Sequence, residues 1–161
     1  MDYLISILMT GIGATVVMDL WSMLRKHLLG VPLPNYGMVG RWVGHMPHGR
    51  FVHESIARAE AVPGERIIGW ITHYLTGIGF AALLIGLFGM EWAERPSLLP
   101  ALAVGISTVL APFLLMQPGM GAGIAASRTP NPKAARIQSL ITHAVFGLGL
   151  YLAGWAAQLL Y

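Results

Sequence analysis

The 161-residue sequence contains no cysteine, which excludes disulfides, thiolate metal sites and thiol redox chemistry and leaves the redox compartment unmarked. Charge is scarce as well. Only 11% of residues are Asp, Glu, Lys or Arg while 55% are hydrophobic, a balance that excludes an ordinary soluble domain. No Lys or Arg precedes the first apolar run, and Asp2 stands where a secretion signal carries positive charge. That run is therefore expected to stay in the mature protein as a helix. The net charge of +3 does not form the basic stripe that nucleic acid requires, so no nucleic-acid partner is expected.

What the chain does have is four apolar segments, roughly 3–24, 67–90, 98–117 and 137–160. Each reaches the ~20 residues that cross about 30 Å of hydrocarbon. They predict an all-α fold: a membrane bundle of four transmembrane helices in one integral membrane domain, with the lipid bilayer as its partner. Arg25, Lys26, Arg41, Arg50, Arg58, Arg66, Arg128, Lys133 and Arg136 lie in or beside the first and third connections, against Arg95 alone on the other side. The positive-inside rule makes those connections cytoplasmic, including a long cytoplasmic loop at 28–65, and puts both termini on the periplasmic side. Trp92 and Trp155 near the outer ends, with Trp21 and Trp70 toward the inner ends, suit interfacial aromatic belts.

Helix punctuation agrees with these spans. Asn131 before Pro132 reads as an N-cap with proline at the first helical position, and Ser97 as the cap of the third span. Gln117-Pro118-Gly119 interrupts the third span near its end. Within the long loop, Asn35 heads a short helix on which Val39, Trp42, Val43 and Met46 share one face. The stretch is either such a helix lying in the interface or an ordinary loop packed on the bundle.

ITHYLTGIGF (71–80) and ITHAVFGLGL (141–150) share five of ten positions, among them His73/His143 and Gly77/Gly147. With the weaker likeness of Gly13, Thr15 and Val16 to Gly105, Thr108 and Val109, this predicts two helix pairs in parallel repeat. Each histidine follows an arginine by seven residues, Arg66 and Arg136, and so lies about 10 Å from the cytoplasmic end of its helix. Asp19, six residues before Arg25, reaches a similar depth.

A carboxylate in hydrocarbon costs about 3 kcal/mol even on the lenient scale, so Asp19 is expected to face the bundle and have a partner. Thr15, Ser22, Thr76, Gln117, Ser139 and Arg128 are candidate polar support. Two chemistries suit Asp19, His73 and His143. One is a divalent metal such as Fe, Mn or Zn, held by two nitrogens and one oxygen. The other is a b-type haem bound axially by His73 and His143. Either would serve redox or metal-assisted chemistry on a small or lipophilic substrate arriving from the cytoplasm. HMPHGRFVHESI adds His45 and His53 as ligands closing the site from that side, although its spacing fits no zinc signature.

Three competing accounts remain open. The histidines are duplicated packing residues; they exchange protons in a small proton-coupled transporter or channel; or the chain is a structural or regulatory partner of another membrane protein. Glycine-rich faces also make a homodimer reasonable. SRTPNPK, with Arg128 and Lys133, follows glycines that suggest a phosphate loop, but it lacks the Lys-Ser/Thr ending of one and serves better as a membrane anchor.

GIGATVVMDLW, GRWVGHMPHGRFVHESI, VPGERIIGWITHY, MGAGIAASRTPNP and SLITHAVFGLGLY together resemble a bacterial integral-membrane family catalogued as domain of unknown function 2938. The likeness covers nearly the whole chain. It implies a four-span protein of the bacterial inner membrane and brings no activity, cofactor or catalytic residue with it.

Overall fold

The computed structural model describes residues 2–159, and among them every regular element is helical. In chain order they are α1 (Tyr3–Leu29), α2 (Tyr36–His45), α3 (Glu65–Glu94), α4 (Leu98–Gly119) and α5 (Pro132–Gln158). Single 3₁₀ turns occupy Met46–His48, Ile56–Arg58 and Ile124–Ala126. α1, α3, α4 and α5 are long and apolar enough to cross a membrane. The shortest, 22 residues, extends about 33 Å at 1.5 Å per residue. Between 22% and 39% of each span is buried within the protein, which leaves most of its leucine and isoleucine surface for an apolar surrounding.

Local chemistry fixes the helix ends. The Asp2 carboxylate accepts the Leu4 amide at the start of α1, and Gly30 ends that helix in the left-handed region, donating its N–H to Lys26, the usual exit of a helix into a glycine. Asn131 Oδ1 accepts the Ala134 amide at 3.2 Å before Pro132, as the sequence predicts. Ser97 holds the cap position of α4, but its side chain makes no capping bond. Pro112 lacks an N–H and crowds the carbonyl four residues earlier. α4 accommodates it by loosening at Thr108–Val109 and running as a wide π turn over Pro112–Met116, before ending at Gly119. Gly89, at φ 73°, breaks α3 near its far end.

The chain divides into two units. The first comprises the residues through Leu33 with 74–108 and those from 141 onward; the second comprises 34–73 and 109–140.

In the first unit, small residues set the helix spacing. A Cβ on Gly11 would lie 2.5 Å from Ile78 Cα, and one on Gly13 would lie 2.6 Å from Ala153 Cβ. Gly149 meets Ala14, and Gly105 lies against the Gly147 backbone. Around these contacts pack Leu84, Ile85, Leu150 and Phe146, the last edge-on to Phe80 at 6.0 Å. Trp92 corrects the aromatic-belt expectation. It is only 4% exposed and donates its indole N–H to the Ser97 carbonyl, closing the α3–α4 turn. Trp155 stands on the exposed surface.

The second unit is held by α2 against the first turns of α3. Tyr36, Gly40 and Gly44 form one ridge of α2, and Glu65, Gly69 and His73 one ridge of α3. A Cβ on Gly40 would run into the Glu65 carbonyl, and one on Gly69 into that of Tyr36. The buried residues of α2 are therefore Gly40 and His45, whereas Val39, Trp42 and Val43 are only half-buried. Small residues, not the apolar ones, mark the contact face. Arg41 clamps the loop: its Nε and one terminal nitrogen donate to the two Glu65 oxygens at 2.8 Å, and the other terminal nitrogen donates to the carbonyls of Ile56 and Ala59.

Candidate functional site

Each ionisable residue singled out in the spans is bonded to a hydroxyl. In the first unit, Asp19 on α1 accepts a hydrogen bond from the Tyr74 hydroxyl on α3 at 3.1 Å. That pairing follows from the Gly11–Ile78 contact two turns earlier, which brings the helices close enough for a tyrosine to reach across. His143 on α5 lies with Nδ1 2.9 Å from Thr108 Oγ1 on α4, one turn from the Gly105–Gly147 contact. In the second unit, His73 Nε2 lies 2.9 Å from the Tyr36 hydroxyl, and the two rings stack at 4.2 Å with Trp70 beside both.

Asp19 and His143 belong to the first unit and His73 to the second. Among the described residues, no three His, Asp or Glu side chains come together as a group able to hold a metal ion. The expected closing ligands do meet each other: His45 Nδ1 and His53 Nε2 are 2.8 Å apart. Their ring centres are 5.0 Å apart and the planes 26° from parallel. That separation is what an in-line N–H···N contact leaves once two ring radii are added. His53 Nδ1 faces the Gly119 carbonyl at 3.3 Å, and a carbonyl only accepts, so Nδ1 carries the proton. The His53 Nε2 lone pair then accepts from His45 Nδ1–H. This geometry shares a proton in line, whereas two ligands of one metal ion aim their lone pairs at a common third point.

The predicted polar support is mostly turned inward on its own helices. Thr15 donates to the Gly11 carbonyl, Ser22 to Met18 and Ser139 to Ala135, the back-bonding by which hydroxyls satisfy themselves in an apolar helix. Thr76 is on the exposed side of α3. Gln117 keeps a buried side-chain oxygen without a hydrogen-bond partner. Arg128 is exposed in the 119–131 loop, where Ala125 and Ala126 take positive φ angles of 47° and 59°. The amides of Ser127, Arg128 and Thr129 donate to the carbonyls of Ile124, Ala122 and Ala126. They are thus committed within the loop rather than aimed at a phosphate.

Tyr36, Tyr74 and Thr108 are the partners that sequence reasoning missed. A signal was present for Tyr74: an intramembrane carboxylate requires a donor, and a phenol on a neighbouring span is long enough to supply one. Nothing local marks Tyr36, which reaches His73 through the glycine contact of α2 with α3.

No curated protein and no solved structure matches the chain. The model of one family, described as Protein of unknown function (DUF2938), matches residues 8–157. With four membrane-length helices and a match across nearly its full length, the chain belongs to the DUF2938 family of membrane proteins.

Proposed function

We propose that the protein exchanges protons within the membrane, as a small proton-coupled transporter. The observation that carries this reading is the hydroxyl on each ionisable group: Tyr74 on Asp19, Thr108 on His143 and Tyr36 on His73. A hydroxyl bonded to one atom of a carboxylate or imidazole fixes which other atom is left to take up a proton, so each pair is suited to holding a proton-exchanging group in place as a solute moves. Among the described residues these groups do not come together with a third ligand-type side chain as a metal site would need. The metal or b-haem reading nevertheless keeps one favourable observation. An imidazole held at Nδ1 by a neighbouring oxygen, as His143 is by Thr108, is the usual posture of a metal-bound histidine.

The orientation proposed with this function places the connections at 28–65 and 118–136 in the cytoplasm of a bacterial cell. It is supported by the nine Lys and Arg that lie in or beside them. A parallel repeat of the α1–α3 and α4–α5 pairs is supported by matching contacts. Gly77 meets Gly11 and Thr15, Gly147 meets Gly105, and Thr15 and Thr108 each donate back to a glycine carbonyl.

The test is reconstitution into liposomes with a lumenal pH dye, challenged by a pH gradient and then by a panel of inorganic cations, amines and carboxylates. Wild-type protein should move protons, unaided or with one of these solutes. Asp19→Asn should slow that movement roughly 100-fold, the scale of a positioned proton-transfer group. Equal proton movement in wild type, Asp19→Asn and empty liposomes would sink the proposal. Stoichiometric metal, or a Soret band lost in His143→Ala, would put the metal or haem reading in its place.

A further inference from the structure

We infer that Thr108 is a positioning residue that fixes His143 as its Nδ1–H tautomer, leaving Nε2 as the atom that takes up a proton. The argument is a count of hydrogens. A threonine hydroxyl has one proton to give, and Thr108 gives it to the Gly105 carbonyl at 2.6 Å. That carbonyl has no proton to offer in return. The 2.9 Å contact between Thr108 Oγ1 and His143 Nδ1 must then be donated by the imidazole. Thr108 is buried, at 5% exposure, so water does not compete for either bond.

The chain holds this triad in place from two directions. Gly105 lies so close to α5 that a Cβ there would stand 2.6 Å from the Gly147 nitrogen and 3.1 Å from the His143 carbonyl oxygen. Thr108 also sits where α4 leaves regular helix ahead of Pro112. The contrast with α1 is informative. Thr15 makes the same bond to a glycine carbonyl, yet the histidine equivalent by repeat, His73, has a tyrosine hydroxyl at Nε2 instead. The two histidines therefore present different nitrogens to their hydroxyls, and the repeat does not make them interchangeable.

The consequence for transport rests on the proton-exchange proposal, but the tautomer can be measured without any flux. The experiment is solid-state nitrogen NMR of full-length protein labelled with ¹⁵N-histidine in lipid bilayers, at a pH where the imidazoles are neutral. His143→Gln identifies the His143 signals among those of the six histidines. Wild-type His143 should show a protonated Nδ1 and a bare Nε2. Thr108→Val should shift the signals toward Nε2–H, and Thr108→Ser should restore them, whereas a purely steric role would be served by valine. A wild-type Nε2–H, or signals unchanged in Thr108→Val, overturns the inference whatever the flux. If Thr108→Val does not fold, the wild-type spectrum still decides. Should the tautomer be as inferred while proton flux is indifferent to His143, the inference stands and the transport proposal falls.

Discussion

At the scale of single residues, one charge outside the spans holds several partners at once. Arg41 donates to both Glu65 oxygens and to the carbonyls of Ile56 and Ala59, so one planar fork ties α2, the 3₁₀ turn at Ile56–Arg58 and the head of α3 together. Lysine keeps the charge but offers a single point donor on a flexible stem and cannot reproduce that fork. Arg41→Lys should therefore release the loop without changing net charge. Trypsin offers a direct measurement, because Arg50 and Arg58 are exposed within that loop. Cleavage there should accelerate several-fold in the variant, and an unchanged rate would show that the loop is held by other contacts.

At the scale of elements, glycines decide which helix faces touch, and the repeat predicts which substitutions matter only in part. Gly77 and Gly147 both press against a neighbouring helix, whereas their companions differ. Gly149 would bring a Cβ to 2.9 Å from the Ala14 carbonyl oxygen, while nothing lies within 4 Å of Gly79. Gly149→Ala should thus destabilise by about 1–3 kcal/mol, the usual cost of overpacking. Gly79→Ala should be neutral or slightly stabilising, since alanine is the better helix former. Thermal unfolding of the two variants in one detergent makes the comparison, and equal melting temperatures would contradict the assigned contacts. The same reasoning explains α2. Its hydrophobic pattern pointed to Val39, Trp42 and Val43, but the close backbone approach at Gly40 and Gly69 puts the glycine face of α2 against α3 and brings Tyr36 onto His73.

At the scale of the whole molecule, the proposed orientation follows from charge alone. Single cysteines in this cysteine-free chain report it cleanly. A cysteine at Glu60 should be shielded from an impermeant thiol reagent in intact cells and react once the cells are opened, whereas one at Glu94, exposed at the end of α3, should react at once. The reverse pattern would invert the topology and move Asp19 to the opposite side of the membrane. The glycine and leucine surfaces that remain uncovered along the spans carry no such asymmetry and say nothing about orientation.

Composition and local spacing were enough for the four spans, the Asn131–Pro132 helix start and the presence of an acid and two histidines within the apolar segments, but left the stretch after Asn35 open between a helix and a loop. These are properties of composition and local spacing: twenty uncharged residues have few alternatives to a helix in lipid, and a proline after an asparagine, ahead of an apolar run, favours the first turn of a helix. What the ionisable groups touch is a matter of folding. Depth along a helix follows from counting residues, but the direction a side chain faces depends on which helices approach, and that was set by glycines whose contacts no periodicity announces. Hence Asp19 met Tyr74 and His143 met Thr108, while His45 and His53, eight residues apart, met each other in line. A hydroxyl or a second imidazole at 2.8–3.1 Å turns a candidate ligand into one half of a hydrogen-bonded pair, and that distance exists only once the chain has folded.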